Sequence, residues 1–238
     1  MRLDLLAIAA HPDDVELTCG GTLVKMAQKG YRTGILDLTR GEMGTRGTPE
    51  ARQKEAAKAA KILGVKVREN LGLPDARLAV TEESKLAIAA IIRAWQPSTV
   101  ILPYWEGRHP DHYTAATLGY EGCFLAGLKR LHLPGEPFRP FKVLYSAMYS
   151  EVRPSFAVDI SAQFERRRRA ILAYRSQFNP PARERRSKIA LRLDRLEGEM
   201  NLIVRYYGRM IGVQFAEPFV VKEIMQVEDV VKMGVRSI

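Results

Sequence analysis

Cysteine, long apolar runs and acidic charge are all in short supply. Two cysteines in 238 residues, Cys19 and Cys123, do not make a disulfide framework. A reducing, cytoplasmic setting is therefore expected, with both thiols packed in a core. No stretch reaches the ~18 consecutive apolar residues of a membrane-spanning helix. The opening MRLDLLAIAA carries an acid inside a short apolar run, and Asp13-Asp14 follows at once, which argues against a secretion signal. No closed Cys/His zinc pattern occurs. Cys19-Gly20-Gly21-Thr22 lacks the glycine spacing and the lysine of a phosphate-binding loop. Bases outnumber acids, 37 to 27, for a net charge of +10, which favours anionic partners. Most of the excess lies between Arg166 and Arg209, in Arg166-Arg167-Arg168-Arg169 and from Arg183 to Arg195. Acids recur there at helical spacing (Glu165, Glu184, Asp194, Glu197, Glu199), and no aromatics interleave with the basic runs. A solvated or subunit-facing helical surface is expected, in preference to a nucleic-acid interface.

What is present is apolar content enough for a core, 46% of residues. Leu3–Ala10, Thr33–Leu38, Val65–Leu71 and Thr99–Pro103 are short runs of strand length, nearly unbroken apart from the more polar third. Helical patterns separate them. Gly21–Lys29 runs into Gly30, Pro49–Leu63 stops at Gly64, and Thr81–Trp95 has an N-capping threonine with Glu82 and Glu83 behind it. The alternation predicts an α/β fold with a Rossmann-like, mostly parallel sheet and helices on both faces; a strand order of 3-2-1-4 would make the first and fourth strands neighbours. Further helices are expected at His112–Leu131, Ser161–Tyr174 and Lys188–Tyr207, with Pro180-Pro181 breaking the chain between the last two. Strands are expected at Lys142–Met148, Ser155–Ile160 and Pro218–Lys222. Without a repeat or linker, residues 1–238 read as one domain whose segment after about residue 175 is a C-terminal elaboration.

Two polar motifs fall at strand ends, where open α/β sheets bind ligands. His11-Pro12-Asp13-Asp14 follows the first strand, and Arg108-His109-Pro110-Asp111-His112 follows the fourth. If these strands are neighbours, three of the four histidines meet three aspartates in one crevice. Two imidazoles and a carboxylate around an open position are the donor set of a catalytic zinc site, although iron, cobalt or manganese also accept it.

"AHPDDVELTCGGTL" followed by "RHPDH" resembles the LmbE-like (PIG-L) family of zinc-dependent N-deacetylases. "GYRTGILDLTRGEMGTRGTPEARQKEAAKAAKILGV", "NLGLPD", "YRSQF" and "GVQFAEPF" resemble the bacterial branch that deacetylates N-acetylglucosaminyl-malate on the way to bacillithiol. The resemblance implies one zinc per chain on His11, Asp14 and His112. It implies that Asp13 is the general base, that His109 polarises or protonates at the amide in cationic form, and that Asp111 orients His109. Arg52 and Arg108 match positions near the substrate and suit a carboxylate-bearing aglycone such as malate. Glu42 is implied as a hydroxyl acceptor, within a substrate loop or a mere connection at residues 41–48. Asp75 stays open between a turn residue and a sugar contact. The family implies a small amino-sugar substrate and a homo-oligomer, in this branch a hexamer built from trimers, with no nucleic-acid or membrane partner. Sibling activities on diacetylchitobiose-like sugars or thiol-conjugate mercapturates are the alternative.

Overall fold

Leu5–Ala9 forms strand β1 and is buried throughout, as an apolar run covered on both faces must be. The fold around it was analysed in a computed structural model that describes residues 1–148, 150–178 and 193–235. In chain order there follow helices α1 (Asp14–Thr18) and α2 (Gly20–Gln28), strand β2 (Thr33–Thr39), helix α3 (Pro49–Leu63), strand β3 (Val67–Leu73), helix α4 (Glu82–Trp95), strand β4 (Thr99–Pro103) and helix α5 (Pro110–Ala126). Strands β5 (Lys142–Ser146) and β6 (Phe156–Asp159), helices α6 (Phe164–Ile171), α7 (Arg175–Phe178) and α8 (Leu193–Met210), and strand β7 (Ala216–Val220) complete the order. The side chains of residues 193–197, 199 and 200 and the expected Pro180-Pro181 break lie outside the description.

The seven strands form one sheet in the order β3-β2-β1-β4-β5-β7-β6. The 3-2-1-4 arrangement is present and parallel, with Ala7 registered against Ile35 on one side and Ile101 on the other. Apolar residues of α2, α3 and α6 pack against one face of β1, and those of α4 and α5 against the other. Among the described residues no helix is long and apolar enough to cross a membrane.

Local chemistry sets the element ends. Thr48 and Thr81 cap α3 and α4 by accepting from Ala51 and Ser84 amides. Gly64, at φ 80°, ends α3 in the left-handed region that glycine enters at no steric cost. Several boundaries differ from expectation: β3 runs Val67–Leu73 rather than Val65–Leu71, α5 starts at Pro110 and ends at Ala126 rather than Leu131, and α6 covers only Phe164–Ile171. A first short helix, α1, starts inside the polar motif at Asp14, before the glycines taken as the helix start. Strand β7 begins at Ala216, two residues before Pro218. Pro218 is tolerated because β5 is ending beside it: its carbonyl accepts from Ala147, and ladder pairing with β5 involves only Phe219 and Val220.

The basic stretch also needs correction. Arg167 is fully buried rather than solvated. It pairs with the equally buried Glu217 at 3.0 Å. Glu217 in turn accepts from the Gly21 and Thr22 amides at 2.8 and 2.7 Å, joining β7 to the start of α2. Arg167→Met, which keeps volume but strands the carboxylate, should lower unfolding stability by about 3–5 kcal/mol. Urea unfolding monitored by circular dichroism measures this; a loss under about 1 kcal/mol would show the pair is dispensable to the fold.

Candidate metal centre

The register that places β1 beside β4 brings both motifs to one edge of the sheet. On leaving β1 the chain turns so tightly that Asp13 adopts φ 113°, a left-handed conformation in a residue with a side chain. Such backbone costs of order 1–3 kcal/mol and persists where surrounding contacts impose it. Here Arg52 does so. It is buried, and its guanidinium donates to the Pro12 carbonyl at 2.6 Å, to Asp13 Oδ2 at 3.1 Å and to the Gly41 carbonyl at 3.2 Å. On the other motif His109 caps α5, with Pro110 at the first helical position. One turn of helix then carries Asp111 inward.

Among the described residues, two side-chain groups have ligand atoms within 4.8 Å of one another: His11, Asp14 and His112, and His11, His109 and Asp111. In the first, Asp14 lies between the imidazoles, with Oδ2 3.3 Å from His11 Nδ1 and Oδ1 3.3 Å from His112 Nε2. The other nitrogen of His11 is held from behind, 2.9 Å from Asp75 Oδ1 and 3.4 Å from Asp111 Oδ2. A neutral His11 that gives its Nε2 proton to Asp75 turns the Nδ1 lone pair toward Asp14 and His112, the tautomer a metal requires. The donor set therefore fits a divalent ion: two imidazole nitrogens and one carboxylate converge, with a carboxylate behind one imidazole.

The electrostatics describe the same tension. Burial alone would raise Asp14, but His112 and His11 hold it well below the usual carboxylate range. Burial would lower both of these imidazoles, yet Asp14 raises His112, and Asp14 with Asp75 raises His11 to about 11. Asp75 is drawn down to about 2, since its bonds to His11 and to the Met43 and Ala76 amides outweigh burial. Asp13 behaves oppositely: burial, with Asp14 adding and Arg52 subtracting, lifts its carboxyl to about 7. His109 is lowered by burial and by the neighbouring His112 and His11, which favours a neutral imidazole over the cation expected of it. Its Nδ1 accepts the Asp111 backbone N–H at 3.3 Å, so the neutral ring carries its proton on Nε2.

Other expected residues take different places. Arg52 faces inward to the turn, and Asp75 lies behind His11; both are buried. The Asp111 carboxylate reaches His11 and the Ala76 amide, at 2.7 Å, while its link to His109 runs through the backbone. Glu42 accepts from the Asp75 amide at 2.8 Å and is otherwise exposed. Arg108 is exposed beside His109. A buried layer beneath the motif was missed by sequence reasoning. Glu16 is fully buried and accepts from Arg68 at 2.5 Å and from the Tyr174 hydroxyl at 3.1 Å, while Arg68 also grips Asp37. Ser176 donates to Glu55, and Gln177 to the Arg46 carbonyl at 2.7 Å. The segment Tyr-Arg-Ser-Gln-Phe thereby fastens the 41–48 loop to α3.

Known proteins share the sequence pattern and the fold. The family model of GlcNAc-PI de-N-acetylase (PIG-L) matches residues 6–122. Diacetylchitobiose deacetylase of Thermococcus kodakarensis is 32% identical over 226 residues, spanning 90% of this chain and 80% of that protein. The crystal structure of the conserved protein TT1542 from Thermus thermophilus is 44% identical, with a TM-score of 0.85 over 95% of this chain and 98% of that one. N,N'-diacetylchitobiose deacetylase from Pyrococcus horikoshii, complexed with its inhibitor MPG, is 28% identical, with a TM-score of 0.79 over 91% of this chain and 82% of its own.

Two substitutions separate ligand from support. Asp14→Ala should abolish stoichiometric metal binding, measured by elemental analysis after dialysis. Asp75→Asn should still bind metal, but about 10–100-fold more weakly. Unchanged metal affinity in Asp75→Asn, with only a raised KM, would place Asp75 at the substrate instead.

Proposed function

Because the chain belongs to the PIG-L family, we propose that it is a metal-dependent deacetylase that hydrolyses the acetamide of an N-acetylglucosamine derivative, releasing acetate and a free amine. The observation that carries this reading is the pairing of Asp13 with Asp14. One carboxylate lies between two imidazoles, and its neighbour, held by Arg52, stays outside the ligand set.

The proposed ion is zinc, one per chain, held by His11, Asp14 and His112; it supplies Lewis-acid polarisation of the carbonyl and a lowered water pKa. Asp13 takes the proton of the attacking water and returns it to the nitrogen as the C–N bond breaks. Arg52 keeps that carboxylate in place. His109 donates its Nε2 proton as a hydrogen bond to the carbonyl oxygen while negative charge builds there. Asp111 holds His109 through its amide and His11 through its carboxylate, so one residue aligns both motifs.

N-acetylglucosaminyl-malate is the proposed substrate within this class, in a cytoplasmic bacillithiol route and with a single-domain enzyme acting as a homo-oligomer. With Arg52 turned inward, recognition of the malate carboxylates falls to Arg108. Diacetylchitobiose is a second reading, favoured by the alignment of the Thermococcus enzyme along 90% of this chain.

Acetate release from both glycosides and from N-acetylglucosamine, run side by side, tests the assignment. Activity should disappear on chelation and return with zinc. Asp13→Asn should keep its metal and lose roughly 10²–10⁴-fold in kcat. A metal-loaded Asp13→Asn at full rate would remove Asp13 as the base. Arg108→Ala should raise KM for the malate glycoside alone, whereas Arg52→Gln should lower kcat on every substrate. Equal loss on all three sugars in Arg108→Ala would favour the chitobiose reading.

A further inference from the structure

The C-terminal segment after β7 is unlike the rest of the surface. From Lys222 to Val235 it forms no helix or strand, yet it is rich in large apolar residues. Ile224 is 99% exposed, Val231 89%, Val230 77% and Val235 67%, with Met225, Val227 and Met233 also exposed. Such a density of bare aliphatic side chains marks a surface that is covered in the working molecule.

A matching acceptor lies on the same chain. A groove of about 720 Å³ is lined by Tyr120, Phe124, Phe141 and Val143, with Arg139 and Lys142 among its charged residues. Phe141 and Phe124 are 81% and 52% exposed. The floor includes an open strand edge. Lys142, Val143 and Leu144 pair with β4, but β7 pairs only with Tyr145 and Ser146. An unpaired edge beside an apolar groove is a template for strand addition. Residues 221 and 223–226 line one wall, and the chain then leads away, so residues 227–235 do not fill the groove of their own molecule. The charges also complement one another: Asp229 pairs with Lys232 of its own segment, which leaves Glu228 among the exposed valines, opposite in sign to Arg139 and Lys142.

We infer that residues 227–235 of one copy dock along the Phe124–Phe141 groove and the open edge of β5 in a second copy of this chain. Donor and acceptor both belong to every copy, so the contact is either exchanged reciprocally in a dimer or propagated around a ring. Neither surface includes a residue of the metal centre.

Light scattering on the full chain at several concentrations tests this, with Val231→Asp changing the donor and Phe141→Asp the acceptor. The wild type should have the mass of two or more copies. Each variant should shift toward the monomer mass while keeping the far-ultraviolet circular dichroism and metal content of the wild type. Chains carrying Val231→Cys and chains carrying Phe141→Cys, mixed and oxidised, should give chiefly the mixed disulfide between the two introduced thiols, identified by peptide mass mapping, in excess of the symmetric pairs that each gives alone. Cys19 and Cys123 are buried, but Cys123 lines the groove, so the unmodified chain and Cys123→Ser backgrounds serve as controls. A monomeric wild type, or an oligomer indifferent to both aspartates, would overturn the inference. So would ring closure at monomer mass in the double Val231→Cys/Phe141→Cys chain, which would mean the segment covers its own groove. Capture of a different protein by a monomeric wild type overturns it equally.

Discussion

The site depends on one imidazole being held at both nitrogens. His11 meets Asp14 through Nδ1 and Asp75 through Nε2, with Asp111 just beyond. Each contact comes from a different stretch of chain: the turn after β1, the loop after β3 and the first turn of α5. The ring cannot rotate without losing a carboxylate on one side or the other. The tautomer is set by the acceptor behind it, and with the tautomer goes the direction of the lone pair available to a cation. The tight turn at Asp13, the inward Asp111 and the Glu42–Asp75 link all serve to keep three carboxylates around that ring.

Holding so many acids together requires opposite charge nearby, and the fold provides it in layers. Beneath the turn, Arg52 neutralises Asp13 while binding the Pro12 carbonyl of that turn and the Gly41 carbonyl of the loop after β2. Deeper, Arg68 lies between Glu16 and Asp37, and Arg167 faces Glu217. Removing one member of such a buried pair leaves its partner uncompensated, which costs more than the pair is worth as an attraction. These three arginines face four carboxylates, so the buried layers are balanced within themselves and the net charge of +10 resides on other residues.

Much of this was legible because burial on both faces leaves a plain trace. β1, β2 and β4 are nearly unbroken apolar runs, and Thr48, Gly64 and Thr81 mark helix ends through cap chemistry that acts locally. Polar β3 was still readable as a strand because it lies at the sheet edge. That the two histidine motifs meet followed in sequence only on condition that the first and fourth strands are neighbours, which the β1–β4 pairing meets. Direction was not legible. Whether Arg52 points outward to a ligand or inward to Asp13 depends on which face of α3 meets the turn, and the letter is the same for either face. Asp75 is ambiguous in the same way. Its part in the site comes from His11, 64 residues earlier in the chain. Glu16 could have been suspected as an acid inside a buried motif, but its partners Arg68 and Tyr174 are set by tertiary packing.

The paired aspartates show why adjacency in sequence need not mean similarity in role. Asp13 and Asp14 share a turn, yet the positive φ at Asp13 sends the two side chains in different directions. Asp14 enters the space between two imidazoles, where a proton is hardest to keep. Asp13 enters a buried niche beside one guanidinium, where burial favours the proton and Arg52 opposes it. In the proposed mechanism the ligand Asp14 must stay ionised, whereas the base Asp13 must exchange protons near neutrality, and two carboxylates in one environment could not satisfy both demands. The strained backbone separates those environments within a single residue step. Relieving it with a glycine-like turn would lose the division of labour along with the strain.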